Sequence, residues 1–164
     1  MHDTPRHPRR FTNYLIPHRS VETYFRCDPC ASRIFHRGSF LASLNLPPTH
    51  PDFPHSAILH AMCASASRWT SQELQFASQP KRRDRFAEFH AAKARSYIDR
   101  TMSSGAQIFS VLQACIILSW WFYAEGRWVE VWIFAGFQCR AAIPLGVSLF
   151  AQNLHVDLTI HRCS

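Results

Sequence analysis

Proline positions and apolar spacing divide this chain before any other property is needed. All ten prolines fall outside residues 81–143. Proline lacks the N–H and clashes with the preceding turn of a helix, so a long stretch free of it reads as helical. Within it, Pro80–Met102 places Phe86, Phe89, Ala94, Tyr97, Ile98 and Met102 at i, i+3, i+4 spacing, with Arg85, Glu88, Arg95 and Asp99 opposite. This is the pattern of an amphipathic helix whose apolar stripe faces a core. Ser104-Gly105-Ala106-Gln107 has the form of a capping box opening a second helix, which runs to about Ala124 and is ended by Gly126. A third segment runs from Arg127 to about Ile143 and stops before Pro144. Val129, Val131 and Ile133 alternate as in a strand, while Trp128, Trp132, Ala135 and Cys139 keep helical spacing. The short Gly126 connection suits an αα-hairpin.

Shorter elements precede these. Arg19–Arg26 reads as a short helix with Val21, Tyr24 and Phe25 on one face, and Gly38–Leu44 as another with Phe40, Leu41 and Leu44 apolar. Asn45–Pro54 holds four of the ten prolines and reads as a rigid loop. His55–Trp69 reads as a helix with Ile58, Met62 and Ser65/Ala66 in register. No Asn-Gly or Asp-Gly dipeptide signals a hairpin of strands. The expected fold is all-α and multi-helical, with an αα-hairpin at about 104–143. Residues 1–14 are basic and read as disordered, and 149–164 as an irregular tail without a period.

Composition adds bounds. With 164 residues, 47% of them apolar and 18% charged, the chain can bury a core without disulfide or metal staples. The net charge of +7 is uneven: +4 over residues 1–37, +3 over 38–100 and zero over 101–164. A basic excess suits nucleic acid or an acidic surface. No basic block exceeds Lys81-Arg82-Arg83, however, so a solvated surface is the favoured reading. The uncharged stretch Ala106–Ala124 is long enough to raise a single membrane span as an alternative. Gln107, Gln113 and several serines dilute it, and burial in a core is favoured. No apolar run follows Met1, so the expectation is an intracellular protein with reduced thiols and no membrane partner.

Chemistry-bearing patterns are sparse. Cys27-Asp28-Pro29-Cys30 admits half a zinc site, a redox pair or coincidence. A two-Cys two-His finger would place a histidine about a dozen residues after Cys30, where Ser43 stands, so coincidence is favoured. His60 and Cys63 are one turn apart, but no second pair accompanies them. No GxSxG, Walker loop, GxGxxG or HExxH occurs, and Glu125 and Glu130 are badly spaced for paired carboxylates. No catalytic or cofactor-binding residue is therefore assigned, and an enzyme is not expected. Trp120, Trp121, Trp128 and Trp132 have little charge between them, which favours helix packing over stacking on nucleic acid.

Three stretches together resemble the fungal-specific transcription factor domain, the middle homology region of fungal zinc-cluster regulators. The first is Val21-Glu22-Thr23-Tyr24-Phe25, then Ile34-Phe35-His36-Arg37 and Phe40-Leu41. The second is the small-residue run His55 to Ala64. The third is Phe109 to Trp121, followed by Gly126-Arg127, Trp132, Gly136, Arg140-Ala141-Ala142 and Leu145-Gly146, with Pro144 where the family has a polar residue. The resemblance implies a partial regulatory domain over 15–148, with His36, Arg37, Phe40, Gly126, Arg127, Trp132, Gly136, Arg140 and Gly146 as structural motif positions. It also implies a nuclear protein that regulates transcription through intramolecular contacts, self-association or other regulators. In the family, DNA binding and zinc belong to a separate six-cysteine module, whose spacing does not occur here: after Cys30 the next cysteine is Cys63. No cofactor is expected in this chain, and no residue is assigned to reading DNA bases.

Overall fold

A computed structural model describes residues 16–72, 84–143 and 145. Seven helices occur among them: α1 (Ile16–Cys27), α2 (Ala31–Ile34), α3 (Arg37–Ser43), α4 (Ser56–Gln72), α5 (Arg85–Ser104), α6 (Ile108–Ala124) and α7 (Trp128–Ala142). No strand occurs among the described residues, so the fold is all-α. The strand pattern at Val129–Ile133 gives way to helix. The expectations for residues 1–14, Lys81–Arg83, Gly146 and 149–164 lie outside the described residues.

Small residues set the arrangement. The buried side chains of α4 include Ala57, Ala61, Ala64, Ser65 and Ala66. A helix surface made of such residues lets neighbouring backbones come close, and α4 packs against α1, α5 and α6 at once. Bulk is supplied by Tyr24, Met62, Trp121 and Phe122, all essentially without solvent exposure. The α6 helix buries Val111, Leu112, Ala114, Cys115, Ile117, Leu118, Trp121 and Phe122 in the core, while its Phe109, Trp120 and Tyr123 stay exposed. No described helix is long and apolar enough to cross a membrane, which argues against the single-span alternative.

Two sequence expectations are corrected. The core face of α5 is Ala87, His90, Ala91, Ala94 and Ile98, while Phe86, Phe89 and Met102 are 40%, 55% and 40% exposed. The helix is rotated from the stripe of large apolar residues because its alanines meet the equally small surface of α4. One residue of the expected polar side is also packed, while Arg85 and Asp99 stay exposed: the Arg95 guanidinium lies over the rings of Phe122 and Phe134 at 5.8 and 5.7 Å. Ser104 likewise opens no capping box. It is the last residue of α5, its hydroxyl donates to the Thr101 carbonyl at 2.8 Å, and Gly105 ends the helix with φ +67°. The α6 helix begins after Gln107 without a side-chain cap.

The first resembling stretch has a clear local logic. The His36 ring accepts from the Ser39 backbone N–H at Nδ1 and caps α3. Arg37 opens that helix and is exposed. Phe40 is buried, 4.9 Å from the Phe35 ring centroid and 5.6 Å from that of Phe25, both edge-on.

Candidate functional site

The α6–α7 junction gathers the later motif residues. Gly126 takes φ +70°, a conformation that a β-carbon disfavours, and reverses the chain. Arg127 then stands immediately before α7 and joins three elements. Its Nη1 donates to Glu88 of α5 at 3.0 Å, and its Nε donates to Glu130 of α7 at 2.8 Å. Its guanidinium lies 4.7 Å from the Phe122 ring centroid and 5.6 Å from that of Trp121. The hydrogen bond from Arg127 holds the Glu130 carboxyl below the usual carboxylate range. Gln138 adds a second tie, its Nε2 donating to Ser119 Oγ on α6 at 2.6 Å.

The outward face of α7 is bare among the described residues. Trp128, Val129, Trp132, Ile133 and Ile143 are 61%, 68%, 79%, 51% and 71% exposed. Trp120 and Tyr123 extend this face onto α6, through edge-on ring contacts from Trp120 to Tyr123 and from Tyr123 to Trp128. This corrects the packing expectation for the tryptophans: Trp121 is in the core, and Trp120, Trp128 and Trp132 are not. Gly136 and Arg140 lie on the same helix and are also exposed. A β-carbon at Gly136 would meet nothing within 4 Å. Gly136→Ala is therefore expected to stabilise the chain by about 0.5–1 kcal/mol, read as a higher denaturation midpoint, because glycine carries only its entropic cost there.

The described cysteines are spread over the fold. Cys27 ends α1 and Cys30 precedes α2, and both are free and partly buried. Asp28 between them accepts from the Cys30 N–H at 2.9 Å and from the Ser65 hydroxyl at 3.1 Å, which ties the turn to α4. Cys63 and Cys115 are buried, and burial pushes their thiols up to about 11 and about 12. Cys139 is exposed on α7. No group of three His, Cys, Asp or Glu able to hold a metal occurs among the described residues.

A cleft of about 1210 Å³ opens between α4, α5 and the proline-rich loop. Among its lining residues His60 and His90 face each other, Nδ1 to Nδ1 at 2.8 Å, so one ring donates and the other accepts. His60 is stacked on Tyr97, with centroids 5.6 Å apart at 18°. His55 accepts from the Ala57 N–H at Nδ1, which leaves Nε2 to donate to Thr101 Oγ1 at 3.0 Å. His60 is a satisfied histidine, as expected, and its ring partner lies thirty residues away on another helix rather than at the one-turn spacing of Cys63.

Burial, then His90 and Lys93, lower His60 to about 4. Burial also lowers His90 and His55. The unfolded chain therefore binds protons below about pH 6.5 that the folded chain refuses. The resulting stability is present above pH 6.5 and is lost as the pH falls towards 4. After discounting for partial exposure, about 1–2 kcal/mol should disappear between pH 7 and pH 4.5 in urea titrations. His60→Gln should flatten that dependence.

No curated protein and no solved structure is matched by this chain. Residues 21–153 match the fungal specific transcription factor domain. That range takes in the His36–Phe40 cap and ring cluster, the small-residue helix α4 and the Arg127 junction, and the chain belongs to the fungal specific transcription factor domain family.

Proposed function

We propose that this chain is part of the regulatory domain of a nuclear fungal transcription factor and regulates transcription by protein contact, without catalysis. The observation that carries the reading is family membership across residues 21–153. The exposed face of Trp120, Tyr123, Trp128 and Trp132 supports contact as the mode of action, because a contiguous apolar surface of this kind marks an interaction site. Aromatic side chains are also the residues that most often anchor interfaces. DNA and zinc belong to this reading only through the family's separate module.

The test fuses the whole chain to an unrelated DNA-binding domain upstream of a reporter in a fungal host. The fusion should change reporter output relative to the DNA-binding domain alone. Trp128→Ser combined with Trp132→Ser should abolish the change while leaving the far-UV circular dichroism and the melting curve intact, since both side chains are mostly solvent-exposed. A fusion without effect, or a double variant that acts like the parent, overturns the reading.

A further inference from the structure

We propose that a second copy of this chain docks on the outward face of α7, the two α7 helices packing antiparallel about a two-fold axis at Gly136. The inference rests on reading this face as a contact surface, and it names the occupant.

Helix geometry puts Gly136 at the middle of the face. At about 100° per residue, the buried Phe134 and Ala141 of α7 point to one side and Gly136 points to the other. Val129 and Ile143 stand seven residues before and after Gly136, within about 20° of its direction. Trp132 and Arg140 stand four residues before and after it, within about 40°. All five are exposed. The smallest residue thus occupies the point of closest approach, where nothing of the single chain lies within 4 Å of an added β-carbon. Two helix backbones can come together there.

The face complements itself under that rotation. In an antiparallel pair centred on Gly136, each residue lies beside the one that stands equally far on the other side of the centre in the second copy. Ile143 then meets the second copy's Val129, apolar on apolar. Arg140 meets the second copy's Trp132, a cation on an exposed indole ring. Each contact forms twice, as a two-fold interface requires. A parallel pair would instead set Arg140 beside the second copy's Arg140.

Charge favours the same occupant. Arg140 is the one charged residue among the exposed positions of α7, and the neighbouring Glu130 is held by Arg127. The antiparallel pair keeps the two Arg140 α-carbons about 12 Å apart along the axis, beyond the screening length of about 8 Å at physiological salt. Residues 101–164 carry no net charge, and residues 1–100 carry the whole +7. Two basic chains therefore meet with least repulsion at this face, whereas an acidic protein or a nucleic acid would be drawn to the basic part of the chain.

Sedimentation equilibrium of the full chain between about 2 and 200 μM tests the pairing. A reversible monomer–dimer equilibrium with a Kd of about 1–50 μM is expected. Gly136→Gln should weaken it at least about tenfold with an unchanged circular dichroism spectrum, because its side chain has room in the single chain and none at the crossing. Val129→Lys and Ile143→Glu should each be monomeric at about 50 μM. Mixed in equal amounts they should pair, since the lysine of one then meets the glutamate of the other. That recovery also shows that both variants are folded. Val129→Lys mixed with Val129→Glu should stay monomeric. A monomer throughout the range, which leaves residues 146–164 or a different protein as the occupant, overturns the proposal. So does a dimer that Gly136→Gln leaves unchanged, or one recovered by the Val129→Lys and Val129→Glu mixture. A monomer whose fusion still changes reporter output sinks the pairing alone, and a dimer whose fusion has no effect sinks the regulatory reading alone.

Discussion

Arg127→Ala is expected to lower the unfolding free energy by about 2–3 kcal/mol, seen as a fall in the urea midpoint at unchanged slope. Truncating one member of a buried ion pair costs about 3–5 kcal/mol, because the partner charge stays desolvated without compensation. Arg127 retains 25% exposure of its side chain, Glu88 35% and Glu130 23%, so water recovers part of that cost. The guanidinium also covers the Phe122 ring, a contact worth about 0.5–1 kcal/mol at a partly exposed site. Arg127→Lys should recover only part of the loss. A lysine carries a point charge and cannot place separate N–H groups on Glu88 and Glu130 while lying flat on an aromatic ring. A double-mutant cycle with Glu88→Gln isolates the α5–α7 tie, and a coupling near zero would show that Arg127 acts through its ring contacts alone.

This junction also marks where sequence reading stops. Gly126 was legible, since glycine after an apolar helix is a strong stop signal. The proline distribution placed the helices, and the ends of α6 and α7 fall within a few residues of expectation, apart from the mistaken cap at Ser104. Periodicity, however, assigns residues to faces of one helix and says nothing of what each face meets. Glu88 and Arg127 are thirty-nine residues apart, and His60 and His90 thirty. No local spacing joins either pair. The tryptophans mislead for a related reason: apolar bulk favours burial, but Trp132 is 79% exposed, and Trp128 meets α6 at Tyr123, which is itself exposed.

The rotation of α5 gives the sharpest contrast between pattern and packing. Judged by apolar bulk, Phe89 is a core residue and Ala94 an ordinary member of its stripe. Judged by the fold, Ala94 has 0% exposure while Phe89 has 55%. Ala94→Leu should therefore cost about 2–3 kcal/mol, because three further carbons must enter a surface whose neighbours are already in contact. Phe89→Ser should cost at most about 1 kcal/mol, since much of the ring is already in water. Melting curves of the two variants side by side decide the matter. The expected order, alanine substitution damaging and phenylalanine substitution mild, reverses the order that residue hydrophobicity alone predicts. The opposite result would mean that α5 presents its large stripe to the core in solution. The alanine contact with α4, the ring contacts of Arg95 and the Glu88–Arg127 tie would then all be lost together, since each depends on the same rotation of the helix about its axis.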